Sequence, residues 1–98
     1  MQFLVIGRDG SDEGAMARRL AVRDNHLALA QQMKNTGELL YASALLDDNE
    51  RMVGSALFME FEDRGALDAW LEVEPYVIGD VWRTVEVSLC KVPGFIKP

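Results

Sequence analysis

A chain of 98 residues, 49 % apolar and 27 % charged, is long enough for one modest core and too apolar for disorder. Its formal net charge of −6 argues against a nucleic-acid partner, because phosphate backbones are held by clustered Lys and Arg. No run of about 18 uncharged apolar residues is present, so no spanning helix is expected. The lone Cys90 excludes an intramolecular disulfide and a cysteine-based metal site, and its apolar run suggests a buried thiol.

The opening "MQFLVIGRDG" has no positive charge ahead of its apolar run. It reads as a first strand bounded by Gly7 to Gly10 rather than a signal peptide, which makes the cytoplasm the expected location. Ser11-Asp12-Glu13 then offers a capping side chain and two acids to a helix start. The helical pattern runs to Thr36. Leu20, Leu27, Ala30 and Met33 fall at spacings of seven, three and three, which assigns them to one face. Asp24 offers a second cap, so a break near Arg23-Asp24 is expected, and Gly37 stands where a helix ends.

"ELLYASALLD" and "RMVGSALFMEFE" read as two strands joined by the polar turn "DDNER", an antiparallel hairpin. Asp63 caps the next helix, whose apolar stripe is Ala66, Leu67, Trp70 and Leu71. Pro75 disfavours helical dihedrals at Glu74, so that helix is expected to end there or bend sharply. "WRTVEVSLCKV" is the last strand. Simple alternation puts Arg83, Val85, Val87 and Leu89 on one face, with Trp82, Thr84, Glu86 and Ser88 on the other.

The order β-α-β-β-α-β predicts one α+β domain over residues 1–98, with helices on one face of a four-stranded antiparallel sheet, as in ferredoxin-like folds. Two strands are apolar on both faces. Phe3 and Val5 oppose Leu4 and Ile6; Leu39, Tyr41 and Leu45 oppose Leu40, Ala42 and Leu46. Exposed contiguous apolar patches are uncommon on monomers, so the expected remedy is a homodimer packed through the open sheet face. The alternative is cover by the C-terminal tail "VPGFIKP".

No Gly-rich phosphate loop, zinc spacing or nucleophile elbow occurs, and "LDDNER" lacks the length and order of a calcium loop. Neither a metal nor a cofactor is called for. Arg18, Arg19 and Arg23 form the one local basic cluster, suited to a small anion. His26 is the only histidine and the side chain that most readily exchanges a proton near neutral pH. It lies at the edge of the helical stripe, with Arg23 three residues earlier on the same side. From spacing alone, the favoured description is a half-buried histidine bonded to backbone or water. Glu74 reads likewise: a carboxylate able to orient an imidazole, or an ordinary exposed residue before proline.

"RRLAVRDNHLALAQQMKNTGELLYASAL", followed by "EPYVIGDVW", resembles the YciI-like, or YCII-related, proteins. These carry an R-L-x-V-R-P-x-H-L segment, then G-x-L-L-x-A-G-P, then W-x-x-x-D-P-Y-V-x-x-G-V. The resemblance spans nearly the whole chain in the right order. It implies a dimeric α+β barrel of ferredoxin-like halves, with a cleft near the dimer interface where the motif histidine meets the motif acid. That pair is the family's proposed active site. One branch of the family eliminates halide from a chlorinated hydroxyquinol, and the wider superfamily includes muconolactone isomerases and cofactor-free monooxygenases.

Carried over by motif, the histidine is His26, the arginine is Arg23 and the acid is Glu74, next to Pro75 and Tyr76. Asp24 stands where the motif has proline. Ser43-Ala44 replaces Gly-Pro and adds a hydroxyl to the strand-two wall. Glu74 replaces aspartate, keeping the charge and adding a methylene. These residues imply a cofactor-independent enzyme: His26 as base, Glu74 orienting it, and Arg23, Tyr76 and Ser43 binding a small anionic, cyclic or enol-like substrate. The reaction would be isomerisation or elimination. The alternative is a non-catalytic dimeric small-ligand-binding or accessory protein.

Overall fold

The computed structural model describes residues 1–96. Seven elements follow one another: β1 (Gln2–Asp9), α1 (Ala15–Asn35), β2 (Leu39–Leu46), β3 (Met52–Glu60), α2 (Arg64–Leu71), α3 (Pro75–Ile78) and β4 (Trp82–Cys90). The strands form one sheet in the order β2-β3-β1-β4, and every neighbouring pair is antiparallel. This is the expected α+β, ferredoxin-like arrangement with one additional short helix.

Pleating sends Phe3 and Val5 of β1 toward the helices, beside Leu57 and Met59 of β3. Met33, Leu67, Trp70 and Tyr76 close over them from the helical layer. The Asp47–Arg51 turn is closed by Asp47, whose Oδ1 accepts from the Asn49 and Arg51 amides at 2.8 and 3.0 Å. An aspartate that mimics a backbone turn in this way fixes the hairpin.

Helix α1 departs from expectation in three respects. It runs unbroken through Asp24, which is exposed, and no Gly or Pro interrupts residues 15–35. It begins after Gly14, without a side-chain cap. Asp12 grips Arg18 instead, through two contacts of 2.7 and 2.8 Å, and that guanidinium holds the Asp12 carboxyl well below the usual carboxylate range. Its inward line is also not the apolar one. Leu20 and Leu27 are 57 % and 46 % exposed, whereas Arg19, His26 and Met33 are buried at intervals of seven. Polar site residues occupy the core-facing line and displace the leucines to its flank. Gly37, at φ +87°, ends the segment in the left-handed region that glycine tolerates.

Asp63 caps α2 as expected, accepting from the Ala66 amide at 2.9 Å. Helix α2 ends before Pro75, as expected, with Glu74 extended. Pro75 also sits at the first position of α3, where its missing N–H and fixed φ fit a helix start. Strand β4 breaks simple alternation. Its register against β1 shifts between Arg8 and Asp9, so Trp82 pairs with Asp9 while Thr84 pairs with Arg8. The extra residue, Arg83, turns Trp82 onto the helix face with Val85 and Val87, against the expected opposition. Cys90 pairs with Gln2 and is half-buried on the open face, not enclosed.

That open face carries Leu4, Ile6, Phe58 and Tyr41 in register. Part of the tail covers one end of it. The Tyr41 hydroxyl donates to the Ile96 carbonyl at 3.2 Å, and Tyr41, Phe58, Pro93 and Ile96 bound an apolar hollow of about 260 Å³. The last two tail residues, Lys97 and Pro98, lie outside the described residues. Among the described residues no helix is long and apolar enough to cross a membrane.

Candidate active site

His26 comes from the middle of α1 and Glu74 from the turn that enters α3. Glu74 adopts extended dihedrals, as a residue before proline must. In that position its carboxylate caps α3, accepting from the Tyr76 amide at 3.2 Å. The same oxygen, Oε1, is hydrogen-bonded to His26 Nδ1. Both residues are buried, His26 at 7 % and Glu74 at 2 % exposure. The bond through Nδ1 leaves Nε2 of the imidazole free for other partners. The extra methylene of glutamate does not separate the pair.

Tyr76 packs flat against this imidazole, with ring centroids 3.8 Å apart and planes 10° from parallel. The Arg19 guanidinium lies over the same tyrosine ring at 4.7 Å. Burial pushes the Tyr76 phenol up from its ordinary value of 10.0, and the Arg19 and Arg23 cations partly oppose that rise. The hydroxyl therefore stays protonated at neutral pH and is a donor.

The three arginines of the basic cluster take different roles. Arg18 is held at the surface by Asp12 and by the Asp80 carbonyl. Arg19 is buried and paired with Asp9, both oxygens lying 3.0 Å from Nη1. Arg23 is exposed at the rim and makes no hydrogen bond or ion pair among the described residues. It is the arginine whose charge is not already matched.

These side chains surround one cleft of about 210 Å³ between α1 and the outer half of the sheet. Arg19, Arg23, His26, Ser55 and Tyr76 supply its polar wall; Ala30, Ala42 and Leu57 supply apolar surface. Among the described residues no group of three His, Cys, Asp or Glu side chains converges.

Of the expected site residues, the structure brings together His26, Glu74, Tyr76 and Arg23. Ser43 borders the cleft along the β2 edge. Its pairing with Ala56, which itself pairs with Ile6, puts its hydroxyl on the open sheet face, away from His26. The hydroxyl on the site's face is Ser55, which pairs with Gly7 and Ala44. Ser55 and the buried role of Arg19 were missed in the sequence. A serine on the core-facing side of a central strand was the available signal for the first.

The helix-covered antiparallel sheet and its cleft define a ferredoxin-like protein with a buried, hydrogen-bonded His-carboxylate pair. The chain belongs to the YCII-related domain family, whose model matches residues 1–91. It is similar to Protein YciI of Escherichia coli, 33 % identical over 90 % of this chain and 94 % of that one. Among solved structures it is similar to a 5-chloro-2-hydroxyhydroquinone dehydrochlorinase of Burkholderia phenoliruptrix, in complex with 2,5-dihydroxybenzoquinone. That likeness has a TM-score of 0.80 at 23 % identity, over 93 % of this chain and 94 % of that one. A dimeric ferredoxin-like protein of unknown function from Jannaschia sp. is similar at a TM-score of 0.54 and 18 % identity, over 93 % and 98 % of the two chains.

Proposed function

We propose that the cleft binds a small planar anion and that His26, oriented by Glu74, removes a proton from it as a general base. The observation that carries this reading is the buried Nδ1 bond to Glu74, which leaves Nε2 as the free nitrogen of the imidazole. A carboxylate in this place fixes the tautomer and stabilises the imidazolium formed as the proton arrives. Arg23 draws a negative substrate to the mouth. A dry cavity of about 150 Å³ already holds benzene, so the cleft volume suits one substituted ring. Tyr76, its ring held between the imidazole and the Arg19 guanidinium, offers a neutral donor.

Proton abstraction next to a carbonyl or enol leads to isomerisation. With a leaving group on the neighbouring carbon it leads to elimination. Both leave the oxidation level of the whole substrate unchanged, so the chemistry asks for no redox cofactor. The dehydrochlorinase that shares this fold catalyses a reaction of the eliminating kind. We assign the open sheet face, with Leu4, Ile6 and Phe58, to a second copy of the chain, packed sheet to sheet. The dimeric relative of the same fold supports this assignment.

The test is hydrogen exchange in deuterated water on a panel of hydroxyquinols, dihydroxybenzoquinones and enol-lactone anions, followed by NMR. Wild-type protein is expected to accelerate exchange or elimination for some members. His26→Ala should lose about a hundredfold or more of that acceleration. Equal rates with His26→Ala would end the catalytic reading. Binding without any exchange would favour a non-catalytic ligand-binding protein.

A further inference from the structure

We infer that the Ser55 hydroxyl is a hydrogen-bond donor aimed at an oxyanion of the bound substrate, a role that rests on the base-and-anion reading above. Ser55 stands on the helix face of β3, 4 % exposed, in the wall of the cleft. Its Oγ accepts from Arg19 Nη2 at 3.2 Å and from Trp82 Nε1 at 3.2 Å. Neither partner can do anything but donate: guanidinium and indole N–H carry no acceptor. A hydroxyl oxygen has two lone pairs and one proton. With both lone pairs engaged, the proton is the one function left.

Among the described residues that proton has no acceptor. Buried polar hydrogens in folded proteins are almost always paired, so an unused one in a cleft wall marks a place for a ligand acceptor. The donors behind Ser55 also strengthen it. A cation bonded to Oγ withdraws electron density and makes the O–H more acidic and more polar. Arg19 is clamped by Asp9 through both carboxylate oxygens, so its guanidinium does not swing to the ligand itself. Its charge acts through Ser55. Trp82 reaches Oγ because Gly7 has no side chain: a Cβ there would fall inside the indole. The bulge at Arg83 puts the indole on this face at all.

This arrangement names the substrate's second handle. When His26 Nε2 takes the proton, the C–H bond breaks and its electron pair moves onto the conjugated carbonyl oxygen. Ser55 holds the enolate or phenolate oxygen so formed. The ligand class is therefore a ring bearing an oxygen whose negative charge grows as the proton leaves, and preorganised donors at such an oxygen favour the transition state over the ground state.

The experiment uses 4-nitrophenolate, a ring oxyanion with a visible absorption band, and 4-nitrotoluene, a ring of similar size without the oxygen. Both are titrated into wild-type protein, Ser55→Ala and Ser55→Thr. Ser55→Ala is expected to weaken 4-nitrophenolate about tenfold to a hundredfold and to leave 4-nitrotoluene binding unchanged. Ser55→Thr, which keeps a hydroxyl, should restore most of the loss. Equal phenolate affinity in wild type and Ser55→Ala, or equal loss of both ligands, would overturn the role of Ser55 while leaving the anion-binding cleft standing. A wild type that does not bind 4-nitrophenolate would overturn both. Ser55→Cys conserves the volume if the alanine variant does not fold, and the same outcomes decide.

Discussion

His26 Nδ1 and Glu74 Oε1 are hydrogen-bonded across a sequence separation of 48 residues, and the same Glu74 oxygen caps the helix that carries Tyr76. One carboxylate thus fixes the imidazole and the aromatic ring stacked on it. Glu74→Asp withdraws the carboxylate by one methylene, and a displacement of about 1 Å at a catalytic contact costs roughly a hundredfold in rate. That loss is expected in the deuterium-exchange assay, even though aspartate is the residue of the family motif. Undiminished exchange in Glu74→Asp would mean that the turn before Pro75 adjusts freely.

Tyr76 gives a pH signature. Burial favours its neutral phenol, so the folded chain holds that proton more tightly than the unfolded chain. Its contribution to stability is complete below the unfolded value of 10.0 and is lost as pH rises through the higher folded value. Thermal melting above about pH 10 should therefore fall more steeply for wild type than for Tyr76→Phe. Parallel slopes would place the phenol in water.

The Asp9–Arg19 pair is buried on both sides, each side chain 4 % exposed. Removing one partner strands the other charge, at a cost of about 3 to 5 kcal/mol. Asp9→Asn should show a loss of this size in urea denaturation. Asp68→Ala, which breaks the exposed Arg64–Asp68 contact, should cost under about 1 kcal/mol. Comparable losses in the two variants would contradict the burial of the first pair.

Gly7 is the counterpart of Trp82. Gly7→Ala would drive a methyl into the indole, costing about 1 to 3 kcal/mol by overpacking. It should also move Trp82 off Ser55, seen as a change in tryptophan emission. An unchanged emission spectrum with full stability would show that the indole has room to retreat.

The order of strands and helices was legible because β1, β2 and β3 alternate or run apolar between clear turn residues. The inward face of α1 was not legible. Periodicity rewards leucines, and here the core-facing line belongs to Arg19 and His26, paired with Asp9 and Glu74 from distant segments. The bulge that turns Trp82 inward has no local signature; it appears only in the pairing of β4 with β1. The union of His26 and Glu74 came from resemblance to the YciI-like proteins, since neither residue is distinctive alone. The resemblance did not reveal how a glutamate replaces the motif aspartate. In the structure Glu74 reaches both the His26 imidazole and the Tyr76 amide.

The dyad itself is open to direct measurement. His26 is the only histidine, so its two ring nitrogens give unambiguous ¹⁵N signals. At a pH where the ring is neutral, Nδ1 should carry the proton and Nε2 should be bare, and Glu74→Ala should release that preference. A neutral imidazole protonated on Nε2, or a tautomer indifferent to Glu74→Ala, would contradict the account.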